Sequence, residues 1–155
     1  MNAYDYALKV EKEGEKYYKE LAKRSPYTGL KMVFNILASE EVKHYKVIHD
    51  MKTNGSVDID KLDIILDTKT IFETLSIDKD NVNFNNDEIK FYEEAIARED
   101  SAEQFYREQA CKLEDENAKA VFLKIADEEA KHKVLLQNIL DFILEPKNFV
   151  TAAEF

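Results

Sequence analysis

Chain breakers, cysteines and clusters of basic residues are all scarce in this sequence. Of its 155 residues three are Gly and two are Pro, too few turn formers for a sheet-rich or loop-rich fold. Cysteine occurs once, as Cys111. A lone thiol forms no internal disulfide, which fits a reducing cytoplasm, and it cannot build an iron–sulfur or rubredoxin-type centre. The formal net charge is −10 and no run of Lys or Arg interrupts it. A phosphate-binding surface needs clustered cations, so nucleic acid is not expected as a partner. No stretch approaches the roughly 18 consecutive apolar residues of a spanning helix, and residues 1–6 lack the basic-then-apolar pattern of a signal peptide. The expectation is a cytoplasmic protein without a membrane partner.

What the sequence does contain is charged and apolar residues, 35% and 45% of the chain, in helical alternation. The breakers punctuate it: Pro26 with Gly29, then Gly55, then Pro146. They predict helices over residues 3–24, 28–52, 87–112 and 117–144, with Asn85 and Glu88 marking the start of the third. Short links make hairpins of residues 3–52 and 87–144. Residues 53–86 form a crossover between them, long enough to run the length of helices about 30 Å long. Within it, residues 68–77 read as a short helix turning Ile71, Phe72 and Leu75 inward. The predicted fold is all-α, an antiparallel four-helix bundle over residues 1–145 made of two repeated hairpins, with residues 146–155 as a C-terminal tail.

The repeat is read by sliding the chain on itself by 99 − 11 = 88 positions. Glu11 then falls on Glu99, Tyr18 on Tyr106, Ala22 on Ala110 and Phe34 on Phe122. Ala38 falls on Ala126, Glu40 on Glu128, Glu41 on Glu129 and His44 on His132. The second helix carries an inward stripe of Leu30, Phe34, Leu37, Glu41, His44, Ile48 and Met51. The fourth repeats it with Ala118, Phe122, Ile125, Glu129, His132, Leu136, Ile139 and Ile143. The first and third add one acid each, Glu11 and Glu99, to otherwise apolar or small stripes.

Four carboxylates at one level of an apolar core cannot stay ionised and unpaired, since desolvating each costs several kcal/mol and like charges repel. No Lys or Arg lies on the stripes to neutralise them, whereas two divalent cations would. A single Glu-x-x-His pair is a weak signal; two copies centred on core stripes, each matched by a lone core Glu, are a strong one. Carboxylate oxygens with imidazole nitrogens suit iron or manganese.

These residues resemble the ferritin-like di-iron carboxylate proteins, whose ligand pattern is a known feature of helix bundles. Within them the chain is most similar to the rubrerythrin group. The resemblance rests on Glu11-x-x-Gly14-x-x-Tyr17-Tyr18-x-x-x-Ala22 with Glu41-x-x-His44, and on Glu99-x-x-Ala102-x-x-Phe105-Tyr106-x-x-x-Ala110 with Glu129-x-x-His132. It implies two iron ions, with manganese or a mixed pair as variants. Glu41 and Glu129 would bridge them, Glu11 and Glu99 would be terminal ligands, and His44 and His132 would bind one ion each. It further implies hydrogen peroxide reduction in oxidative-stress defence, with electrons from a separate donor such as a rubredoxin-like protein, because no rubredoxin domain follows here. A homodimer is the family expectation. The other readings are a ferroxidase that oxidises Fe(II) with O2, and a non-catalytic metal-binding bundle. Val42 stands where a haem-binding Met would follow the bridging Glu, so haem is not expected. Ala102 replaces an additional Glu that the family often carries, and with it the redox-linked metal shift.

Gly14 and Ala102 lie one turn from Glu11 and Glu99; they leave room for dioxygen or peroxide, or let helices pack closely. Tyr18 and Tyr106 are donors to ligand carboxylates, a radical sink, or plain core aromatics. Cys111, matched to Lys23, reads as a partly buried bystander.

Overall fold

The computed structural model of the protein describes residues 2–62, 73 and 85–153. Helix α1 spans Ala3–Arg24, α2 Thr28–Asn54, α3 Asn86–Lys112 and α4 Glu116–Ala153, with a short 3-10 helix at Ile59–Leu62. The proposed short helix at residues 68–77 lies outside the described residues, apart from Glu73.

Local chemistry sets the helix ends. Asn2 and Asn85 accept the backbone N–H of Asp5 and Glu88 at 2.8 and 2.9 Å, satisfying amides that the first helical turn leaves free. Asp115 does the same for Ala118 at 2.8 Å at the start of α4. Helix α2 ends at Gly55, whose φ of 83° is left-handed and favours glycine. The last helix departs from expectation: it passes Pro146 and continues to Ala153 rather than stopping near residue 144. A proline within a helix removes one ladder hydrogen bond and crowds the carbonyl four residues back, which disfavours the helix there but does not always end it.

Helices α1 and α2 pack as one hairpin, α3 and α4 as the other. Contacts between hairpins fix their directions. Glu11 meets Tyr106 while Tyr18 meets Glu99, so α1 and α3 are antiparallel. Glu40 meets His132 while His44 meets Glu129, so α2 and α4 are antiparallel too. It follows that α2 leaves the bundle at one end and α3 begins at the other, which is why a long crossover is needed. The 3-10 helix at its start packs on α2 and α4.

The core is split into two apolar clusters. One gathers Tyr18, Leu30, Phe34, Leu37, Tyr92, Leu136 and Ile139, and the other Val47, Ile48, Met51, Tyr106, Phe122 and Ile125. Between them lies a polar layer in which Glu11, Glu41, His44, Glu99, Glu129 and His132 are all buried. Among the described residues no helix is long and apolar enough to cross a membrane.

Candidate metal centre

Each helix delivers its part of the layer from an inward stripe: Glu11 from α1, Glu41 and His44 from α2, Glu99 from α3, Glu129 and His132 from α4. A spacing of three residues on a helix puts a Glu and a His on one face, one turn apart. All six side chains converge. They form two overlapping groups, Glu11, Glu41, His44 and Glu129 in one, and Glu41, Glu99, Glu129 and His132 in the other. In each group one atom per residue lies within 4.8 Å of all the others. Glu41 and Glu129 belong to both.

The geometry keeps the internal repeat. Nδ1 of His44 lies 2.9 Å from Glu129 and 3.4 Å from Glu11. Nδ1 of His132 lies 3.6 Å from Glu41 and 3.4 Å from Glu99. The two rings are nearly parallel, 6.0 Å apart. The Tyr18 hydroxyl donates to Glu99 and the Tyr106 hydroxyl donates to Glu11, the latter at 2.6 Å. Each tyrosine therefore serves the carboxylate of the opposite hairpin, in favour of their reading as donors. Burial first, then Glu99 and Glu11 respectively, push both phenols above their usual range, so they remain protonated and able to donate.

Without a cation the layer is electrostatically frustrated. Burial and the neighbouring carboxylates push Glu41 and Glu129 well above the normal range. Burial lifts Glu11 to about 7 despite hydrogen bonds from Glu41 and Tyr106. Burial acts upward on Glu99 as well, but His132 outweighs it and holds that carboxyl low. His132 in turn is held well up, the carboxylates of Glu99, Glu40 and Glu41 overcoming its burial, whereas burial keeps His44 low. Buried atoms of the layer lack any hydrogen bond: Glu11 Oε2, Glu41 Oε1, Glu99 Oε2, Glu129 Oε1, both nitrogens of His44 and Nδ1 of His132. Unsatisfied oxygen and nitrogen donors aimed at one another fit a pair of divalent metals, each with carboxylates and an imidazole.

Three findings differ from what the stripes suggest. Glu40 and Glu128 stand off the inward stripes, yet both are buried, at 1% and 2% exposure. Glu40 accepts from Nε2 of His132, which leaves Nδ1 as the nitrogen that faces the other carboxylates. The signal for this pair was their match in the repeat. Second, the room next to Gly14 is largely taken by Glu41: a Cβ there would sit 2.5 Å from Oε2 of that carboxylate. The open space that remains is a cavity of about 20 Å³ lined by both Gly14 and Ala102, with Val10, Tyr18, Arg98, Glu41, Glu99 and Glu129. Third, Cys111 is exposed rather than partly buried.

No curated protein and no solved structure matches the chain. A family model described as Rubrerythrin matches residues 3–140, a span that holds both hairpins and every converging side chain. On that match, made over most of its length, the chain belongs to the Rubrerythrin family.

Proposed function

We propose that the protein reduces hydrogen peroxide at a di-iron centre. The observation that carries this reading is the convergence, in a chain of the Rubrerythrin family, of four buried glutamates and two buried histidines whose unpartnered atoms face one another. Glu41 and Glu129, common to both groups, would be shared by the two ions, with Glu11 and His44 completing one site and Glu99 and His132 the other. When bound, two ferrous ions supply the two electrons that, with two protons, convert H2O2 into two waters.

The residues around the centre do the rest. Tyr106 and Tyr18 orient Glu11 and Glu99 by donating to them. Glu40 fixes the tautomer of His132. The apolar clusters above and below exclude bulk water from the layer. The cavity beside Ala102 gives a small oxidant a place against Glu41, Glu99 and Glu129; a volume of about 20 Å³ is of the order of one water. It adjoins a surface groove of about 350 Å³ that shares Val10, Arg98 and Ala102 with it. Electrons arrive from a separate reductant such as a rubredoxin-like protein, since one cysteine in this sequence cannot make a four-thiolate iron site. A homodimer in the reducing cytoplasm completes the proposal.

The test is stopped-flow oxidation of protein loaded anaerobically with about two Fe(II) per chain, comparing H2O2 with O2. Faster oxidation by H2O2 is expected, and Ala102→Leu should slow it while iron content holds. Faster oxidation by O2 with continued iron accumulation would replace the proposal with a ferroxidase. Loaded metal that neither oxidant changes would leave a non-catalytic binding bundle.

A further inference from the structure

The six converging side chains leave Glu40 and Glu128 without a full complement of partners. Each immediately precedes a Glu-x-x-His pair, and they are related by the same offset of 128 − 40 = 88. They come from α2 and α4, and the imidazole of His132 separates them from the six-residue layer: Nε2 faces Glu40, while Nδ1 faces Glu41, Glu99 and Glu129. Ligand atoms of Glu40, Glu128 and His132 lie within 4.8 Å of one another.

Charge and hydrogen bonding are both incomplete there. Four glutamates of the main layer balance two divalent ions, which leaves Glu40 and Glu128 to be neutralised separately. Among the described residues, Lys131 pairs with this group, 3.4 Å from Oε1 of Glu128 and itself 64% exposed. Oε1 of Glu40 and Oε2 of Glu128 are buried with no hydrogen-bond partner. Two carboxylates of one sign, buried and only partly paired, attract a cation for the reason that the main layer does.

We infer that Glu40 and Glu128 form a third cation site, on the α2–α4 side of His132, for a hard divalent ion such as Mn2+, Fe2+ or Mg2+. Hard ions accept an all-oxygen site completed by water. Nε2 of His132 is not a ligand there, because with Nδ1 turned to the main pair it carries the proton donated to Glu40. With two protein carboxylates and no imidazole, the site binds more weakly than the main pair. One imidazole away from the layer, the site is a staging point for an ion that passes to or from it.

Equilibrium dialysis of the metal-free protein against Mn2+, in salt sufficient to screen surface acids, reads the number of sites directly. Three ions per chain are expected, the third weaker by at least about tenfold. Glu128→Gln should remove the third and leave the affinities of the first two unchanged, and it should slow loading of the main pair. Saturation of the wild type at two ions overturns the inference, even if Glu128→Gln does not fold. A third ion that persists in Glu128→Gln is a surface ion and overturns it equally. The count does not depend on reactivity with peroxide, so this inference and the proposed function fail separately.

Discussion

Gly14 lies directly against the side chain of Glu41. A Cβ at position 14 would lie 2.5 Å from Oε2, 3.1 Å from Cδ and 3.4 Å from Cγ of Glu41. Glycine in a helix interior costs about 1 kcal/mol relative to alanine, so the position gives up helix stability for the approach of one carboxylate. Gly14→Ala should therefore separate fold from site. Melting of the metal-free protein should be unchanged or higher, because the obstructed atoms end a flexible side chain. Iron content after loading and desalting should fall, because Glu41 cannot take its place between the two groups. Full iron content in Gly14→Ala would show that Glu41 binds from another position. The repeat counterpart, Ala102, already carries a Cβ and lines the same small cavity as Gly14. The two halves therefore share a pattern of ligands and differ in the presence of a Cβ beside it.

At the scale of the element, the helices are long because they must present a polar layer with apolar turns on both sides. Helix α4 shows the design: Ala118, Phe122 and Ile125 precede the Glu129–His132 pair, and Leu136 and Ile139 follow, all buried. Phe122 is fully buried and meets Tyr106 edge-on at 5.3 Å and Tyr4 at 5.8 Å. It thereby backs the tyrosine that holds Glu11. Phe122→Ala should lower unfolding free energy by about 3–5 kcal/mol, measurable by denaturant titration of the metal-loaded protein. The loss should also loosen Tyr106 and weaken metal retention. A cost near that of a surface change would mean that the second cluster repacks around the gap. The stripes of α2 and α4 were legible because three-and-four spacing survives unbroken through them. The end of α4 was not, since a proline marks a probable boundary and does not impose one.

For the whole molecule, the layer links stability to pH and metal. Glu11 titrates at 4.5 in an unfolded chain and at about 7 in the metal-free fold. A carboxyl raised by folding stabilises the fold below the unfolded value, and that contribution is lost as pH rises through the folded value. Glu41 and Glu129 act in the same direction; Glu99, held low, acts only below 4.5, and His44, held low by burial, opposes them below 6.5. Melts of metal-free protein should therefore show a falling Tm between pH 4.5 and about 7. Metal binding needs these carboxylates ionised, so it should release protons and abolish the fall. A Tm that rises over that range without metal would mean that the layer does not hold protons as described.

The sequence by itself determined the helical class, the paired hairpins, the need for a crossover and the six residues Glu11, Glu41, His44, Glu99, Glu129 and His132. It could do so because helical periodicity is a property of consecutive residues, and because the repeat marks which polar residues recur on that period. Tertiary structure decided what depends on contacts between helices. It decided that each tyrosine serves the other hairpin's carboxylate, that Glu41 fills the space at Gly14, and that Glu40 and Glu128 are buried. A residue one step off an inward stripe points toward a neighbouring helix, and whether that neighbour covers it depends on how closely α2 and α4 pack. No spacing along a single helix contains that distance.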